Sequence, residues 1–555
     1  MDVSAPGSPF SLPGPRRGFP QRPSSMPFHR YTRDEPPGPA ADFPREWPTR
    51  ALDRAPMWAS VDLRDGNQAL AEPMDLRRKK RMFELLVTMG FKDIEIGYPA
   101  ASVDDFDFVR ETVIKEGIPD DVTVSVFTPA RPELIERTFD AIRGAERAVV
   151  HLCHATACLW RDVVFGMSRQ DVLRMAVDGA RHMVRLAEQE SGSDIRFEYS
   201  PETFNVTEPD FALEIANRVA EVVDATPDRP LVLNLPTTVE THGPNFFADQ
   251  VEWMHRNLDR RDAIILSVHP HNDRGTAVAS AELALLAGAD RVEGTLFGNG
   301  ERTGNVCLVT LALNLFSRGV DPELEIPDID AVREIVEDCN RLPVHPRHPY
   351  AGDLVYTAFS GTHQDAIAKG LAAQAERARR HTGDAPWQVP YLPIDPKDVG
   401  RDYRAIIRVN SQSGKGGIAY VLKSGWGLDL PIALRRDFAA VVQDVTDATG
   451  RELDPPEIHR LLRETYCVDD TPTTHAYADE HEVRADVAAA HGVEFTQVLV
   501  TDTAGASREA KACFTALDAD GRTFWGLGLA ATAADAALRS TRSALRRAGI
   551  EEGER

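Results

Sequence analysis

Two histidines stand two residues apart in the stretch LSVHPHND, at His269 and His271. The run before them, AIILSV (263–268), is apolar and β-branched, as a buried strand should be. In a strand, residues i and i+2 share a face, so both imidazoles would project together from its C-terminal end. Imidazole suits zinc, iron, nickel or copper, and serves manganese or magnesium where carboxylates help. The same pair could instead close the strand and hydrogen-bond locally. A third ligand, and a fold that supplies it, must decide.

The elements that would position such a ligand follow a rhythm. From Trp58 onward, short apolar strands alternate with amphipathic helical stretches. Strands are expected at WASVDL (58–63), DIEIGY (93–98), VTVSVF (122–127), RAVVHL (147–152), DIRFEY (194–199), PLVLNL (230–235), AIILSV and RVEGTLF (291–297). Helices are expected over stretches such as 74–89, 103–115, 168–190 and 208–223. This alternation implies βαβ units and a parallel sheet. Eight such units in about 260 residues predict a TIM (β/α)8 barrel, with an open doubly wound sheet as the alternative.

A barrel gathers its chemistry at the C-terminal ends of its strands. The polar residues there are Arg64, Asp65, Asn67 and Gln68 after strand 1, and His151 and His154 at strand 4. Strand 5 adds Glu198, Ser200 and Glu202; strand 6 adds Asn234, Thr237 and Thr238. Strand 8 adds Glu301, Arg302 and Asn305. The third ligand is then Asp65, joining His269 and His271, with the amide carbonyl of Asn305 as a fourth donor. Two histidines and a carboxylate with open positions suit a catalytic divalent ion: Mg2+, Mn2+ or Zn2+. A salt bridge to Arg64 or a loop cap is the alternative role for Asp65. Asp273 is expected to orient a histidine rather than to bind the ion. The glycines of GNGERTGN lack phosphate-loop spacing and instead let backbone approach the site, and SGKGG (413–417) reads as a flexible turn.

Composition bounds the rest. The chain has 555 residues, 42% hydrophobic and 27% charged, enough for two or three domains. A net charge of −23 argues against nucleic-acid or membrane-surface partners. The six cysteines form no C-x-x-C pair, and no run of 18 apolar residues occurs, so a reducing cytoplasm is expected. Residues 1–45 are proline-rich and read as a disordered tail. The barrel is expected over 46–325, a helical linker over 326–437, and an α+β domain over 438–555, where DADG signals a hairpin turn.

At this point the motifs resemble a family. LRDGNQ, HPHNDRGTAVA and GADRVEGTLFGNGERTGN are similar to the acyl-CoA-dependent Claisen-condensing TIM-barrel enzymes. RLPVHPRHPYAGDLVYTAFSGTHQDAI and VPYLPIDPKDVGR narrow the resemblance to the 2-isopropylmalate synthase family in its long bacterial form, from about Arg45 onward. The resemblance implies condensation of acetyl-CoA with 3-methyl-2-oxobutanoate and water, the first committed step of leucine biosynthesis. The metal would chelate the oxoacid, and Arg64 would stabilise the developing alkoxide. By resemblance His151, Ser200, Asn234 and Thr238 line the oxoacid pocket, and Glu202 lies near the reacting carbons. His363 in SGTHQDA, acting through water with Tyr391 of VPYLP orienting it, would be the base, reaching the partner protomer's site in a homodimer. Within the chain, His363 could merely cap a helix and Tyr391 could be core. The resemblance also implies a C-terminal domain that binds leucine as inhibitor; a ligand-free dimerisation domain is the alternative.

One stretch departs from the family. Where it carries Y-N-S-T-S beyond His151, this chain has CHATAC, from Cys153 to Cys158. That leaves the preferred oxoacid open, with homocitrate or citramalate synthase chemistry as alternatives. A soft metal cluster of Cys153, His154 and Cys158 would need a loop rather than a strand end. A metal-dependent hydrolase, or an inactive leucine-binding protein, are the rivals from other classes. The hydrolase would want more ligands on other strands, and the inactive protein would lack a metal ligand.

Overall fold

The computed structural model describes residues 24–31, 43–112, 117–190, 192–358, 360–380, 385–401, 415–449, 453–467, 477–503 and 509–550. Most of the expected N-terminal tail, and SGKGG up to Gly414, lie outside these residues.

Eight parallel strands close into a barrel in chain order. They are β1 (Met57–Ser60), β2 (Asp93–Gly97), β3 (Thr123–Pro129), β4 (Arg147–Ala155), β5 (Asp194–Glu202), β6 (Leu231–Thr237), β7 (Ile264–Pro270) and β8 (Arg291–Gly294). β1 pairs with both β2 and β8, which completes the closure and excludes the open sheet. The strands form because β-branched and aliphatic residues are buried on both faces, inward to the barrel and outward to the helices. The helices are amphipathic and start at caps that the sequence supplies. Ser168 and Asp171 form a capping box at the head of Arg169–Ala187, and Ser102 caps Val103–Arg110.

Four strands differ in length from expectation by two residues or more: β1 and β8 are shorter, and β4 and β5 each run three residues further. β1 ends at Ser60, because Asp62–Gly66 coil into one π-helical turn. β8 ends at Gly294, where Val306 packs so closely that a side chain would strike it. β4 runs on to Ala155, because it pairs with β5 along its whole length, up to Ala155 opposite Glu202. Cys153, His154 and Ala155 are therefore strand, not loop.

Before the barrel, Arg45 and Trp47 both donate to Asp249 (2.7 and 2.9 Å), which pins the entering chain to the helix Pro244–Asn257. After it come helices Ile329–Asn340, Gly361–Arg380, Lys415–Trp426, Ile432–Thr449 and Pro455–Tyr466. The expected domain start at residue 438 falls inside Ile432–Thr449. A three-stranded antiparallel sheet then follows, ordered β11 (Arg522–Ala530), β10 (Lys511–Ala519), β9 (Phe495–Asp502). The β10–β11 hairpin turns at Asp520 and Gly521, both at positive φ (51° and 72°), as the DADG signal requires. One sheet face packs Cys513 and Leu517 with Val483 and Leu545; the other carries Phe514, Trp525 and Leu527 into the core that runs back to the barrel.

Candidate active site

The π-helical turn after β1 sets Arg64 and Asp65 over the barrel mouth. It is tied across the closure: Leu296 N–H donates to both carboxylate oxygens of Asp62 (3.1 Å each). Arg64 grips Glu95 of β2 with Nε (2.6 Å) and Nη2 (3.2 Å), and donates from Nη1 to Asp65 (2.9 Å). Its guanidinium lies 4.6 Å from the Phe127 ring centroid. The alternative role for Asp65, a salt bridge to Arg64, therefore coexists with the ligand role.

The period of two holds across the end of β7, with His269 on the strand and His271 just beyond it, bridged to Asn305. The His269 and His271 rings stack 5.2 Å apart at 19°. Both Nε2 atoms face the same carboxylate oxygen of Asp65, at 3.5 and 3.8 Å. Asn305 completes the set: its Oδ1 lies 2.7 Å from His269 Nε2, and its Nδ2 donates to Asp65 (2.8 Å). Among the described residues, Asp65, His269 and His271 are the one group of three or more acidic, histidine or cysteine side chains whose ligand atoms converge within 4.8 Å. All three are buried.

The electrostatics suit a cation. Burial opposes a charge on Asp65, but Arg64 and His269 outweigh it and hold the carboxyl well below its usual range. Burial, with the charge of His269, pushes His271 down to about 4, so its ring is neutral and keeps a lone pair. Its buried Nδ1 has no hydrogen-bond partner. Burial disfavours charge on His269 too, yet Asp65 and Glu293 hold it up at about 10, so the two carboxylates favour positive charge at this ring, and an ion bound at Nε2 would take the place of the proton there. Two imidazoles, a carboxylate and an amide oxygen, buried together, fit a divalent ion.

A cavity of about 150 Å³ opens beside these groups. His151, Ser200 and Asn234 form one polar wall: His151 Nε2 lies 2.7 Å from Ser200 Oγ, which accepts from Asn234 Nδ2 (3.0 Å). Phe127 and Pro236 give apolar surface, while Gln68, Cys153, Glu202 and Thr238 complete the lining. Burial raises the Glu202 carboxyl above its ordinary value, against the pull of Arg64. Cys153 Sγ lies 3.9 Å from Glu202, and burial holds the thiol far above its usual range, so it is neutral.

Twelve residues are expected at the site from sequence, and the structure brings ten together: Asp65, His269, His271, Asn305, Arg64, Glu202, His151, Ser200, Asn234 and Thr238. His363 and Tyr391 do not line this cavity. They stack on each other, centroids 4.0 Å apart, at an exposed position where Tyr391 is 58% accessible and its φ is 64°.

Asp273 does not orient a histidine through a hydrogen bond. It accepts from Arg302 (2.6 Å) and from Glu240 N–H (2.9 Å), because the chain turns away after His271. The carboxylate on His269 Nδ1 is Glu293, at 3.0 Å. Glu198 lies below the rim, paired with Arg291 (3.3 Å) rather than open to the cavity. In CHATAC, Cys153 faces the cavity, His154 points outward to Tyr199 (3.0 Å), and Cys158 is exposed beside Asp162. They form no cluster. The residues that sequence reasoning misses are Glu95, Glu293 and Phe127; a carboxylate inside the apolar runs DIEIG and RVEG is the available signal for the first two.

Comparison with known proteins first defines the class. Residues 55–336 match the HMGL-like family, whose members depend on a divalent metal, and residues 353–423 match the alpha-isopropylmalate synthase post-catalytic domain-like family. The chain is 50% identical over 565 residues to the 2-isopropylmalate synthase of Thermobifida fusca, covering 95% of this chain and 99% of that one. It is 47% identical to the enzyme of the same name from Corynebacterium glutamicum (98% and 97% covered), and 58% identical to that of Parafrankia sp. (80% and 78%). The chain belongs to the 2-isopropylmalate synthase family, and it is an acyltransferase of that kind.

Proposed function

We propose that this barrel mouth condenses acetyl-CoA with 3-methyl-2-oxobutanoate and water, giving (2S)-2-isopropylmalate and CoA. The observation that carries the reading is the convergence of Asp65, His269 and His271 beside Arg64 at the rim of a small cavity. Asp65, His269, His271 and Asn305 would hold a divalent ion, Mg2+, Mn2+ or Zn2+, which would supply Lewis-acid polarisation of the oxoacid's keto group.

The chain's own residues do the rest. Arg64 spends three of its five N–H groups on Glu95 and Asp65, which leaves two for the alkoxide that develops when the carbonyl is attacked. His151, Ser200, Asn234 and Thr238 position the oxoacid, whose apolar end meets Phe127 and Pro236. Glu202, its carboxyl raised by burial, sits by the reacting carbons to hold or move a proton. His363, with Tyr391 stacked against it, takes the proton from the acetyl methyl group through a water. Because that pair stands outside its own chain's cavity, it serves the partner's site in a homodimer. The C-terminal α+β unit binds leucine and inhibits the barrel. Among the described residues no helix is long and apolar enough to cross a membrane, and the enzyme works in the cytoplasm.

The test is CoA release from acetyl-CoA with a panel of 2-oxoacids, before and after chelation and metal re-addition. The expected result is highest kcat/KM with 3-methyl-2-oxobutanoate, loss of turnover on chelation, and inhibition by added leucine. A better oxoacid overturns the substrate, and undiminished turnover after chelation overturns the metal.

A further inference from the structure

We infer that Glu293 is a positioning residue: it holds the ring of His269 so that Nε2 faces the ion, and ties that ring to the oxoacid wall. This rests on the metal reading above. Glu293 is 1% exposed on β8, inside the barrel. Its Oε2 accepts from His269 Nδ1 and from Asn234 Nδ2, each at 3.0 Å. Its Oε1 accepts from Ser267 Oγ (2.9 Å) and from Arg291, which is itself held by Asp93 (2.8 Å).

The carboxylate is thus fixed from three neighbouring strands, β6, β7 and β8. An imidazole that binds a metal through one nitrogen is set in tautomer and rotation by what the other nitrogen bonds. Asp65 cannot do this for His269, because it faces Nε2. Glu293 alone among the described carboxylates donates no ligand atom to the cluster yet hydrogen-bonds a ring within it. The same oxygen reaches Asn234, whose amide also bonds Ser200 Oγ (3.0 Å). One buried oxygen therefore joins the metal ligand to the wall that positions the oxoacid.

The experiment titrates Mn2+ by calorimetry into chelator-treated full-length protein. Glu293→Gln is expected to bind Mn2+ roughly 10- to 100-fold more weakly than wild type. At saturating Mn2+ its KM for the oxoacid rises, while its KM for acetyl-CoA stays unchanged. Asp93→Asn, which perturbs the same arginine without touching His269, should keep its Mn2+ affinity within about threefold of wild type, well short of the loss expected for a histidine support. Should Glu293→Gln fail to fold, Glu293→Asp carries the test, since it keeps the charge beside Arg291 and withdraws the carboxylate from His269. Wild-type Mn2+ affinity in the Glu293 variant, or an equal loss in Asp93→Asn, overturns the inference. If wild-type protein itself binds no Mn2+, Mg2+ or Zn2+, the metal reading falls and this inference falls with it.

Discussion

Arg64 shows how much one side chain is asked to do at this mouth. Its planar fork engages both oxygens of Glu95, lies on Phe127, and still reaches Asp65. A lysine has the charge but neither the fork nor the flat face. Arg64→Lys should lower kcat by about 10²-fold, the loss typical of one removed oxyanion donor. Mn2+ affinity should fall far less, because the four ligand atoms stay in place. Steady-state kinetics beside a metal titration check this; an unchanged kcat would remove Arg64 from the chemistry. At the same scale, the site is unevenly legible in the sequence. The metal ligands and Arg64 stand out because they cluster at strand ends within short motifs. Glu95 and Glu293 sit one layer deeper, where inward carboxylates look like ordinary strand positions until closure sets β8 beside β1. Asp273 departs from expectation because two residues of separation from His271 do not mean proximity once the backbone turns.

The loop after β8 is the element that delivers Asn305, and it does so by folding back on itself. Asn305 N–H donates to Gly298 O (3.1 Å), and Asn272 N–H donates to Gly304 O (3.0 Å), so the loop is stitched to the segment at the end of β7 that carries both histidines. Gly304 has φ +95°, and a Cβ there would lie 1.8 Å from Gly298 O. Thr203, Phe297 and Arg302 hold left-handed backbone without being glycine, all on loops at this rim (φ 65°, 56° and 55°). The close backbone approach that the glycines of GNGERTGN predict is this geometry. Gly304→Ala should displace Asn305, weaken Mn2+ binding at least tenfold, and lower the melting temperature by several degrees. Gly275→Ala is the contrast. It has φ +74° with nothing within 4 Å of its Cβ. It should cost only the roughly 1–2 kcal/mol of left-handed strain and leave Mn2+ affinity intact. Equal metal affinities in the two variants would show that the loop does not place the ligand.

Across the whole molecule, the rhythm of strands and helices is legible because each βαβ unit repeats one pattern. The C-terminal boundary is not, since helices such as Ile432–Thr449 and Pro455–Tyr466 look alike in sequence whichever core they join. One core in fact runs from the barrel through these helices to Phe514 and Trp525. Stability should then respond to charge buried at the closure of the barrel. Asp62 is the clearest case, because burial pushes its carboxyl up to about 7 despite hydrogen bonds from Ser60 and from Leu296 N–H. The unfolded chain releases that proton near 4. Between about pH 4 and 7 the folded state therefore binds more protons than the unfolded one, so stability falls as pH rises. The whole window is worth on the order of 2–4 kcal/mol. Asp65 and Glu95 act oppositely: their carboxyls are held low against burial, chiefly by Arg64, so the stability they contribute is lost on acidification. Asp62→Asn keeps the shape and mimics the protonated acid. Thermal scans at saturating metal should show the wild-type melting temperature declining by a few degrees from pH 5 to 8, with the Asp62→Asn variant visibly flatter. Parallel slopes would mean that Asp62 stays ionised in the folded protein and that its two partners outweigh its burial.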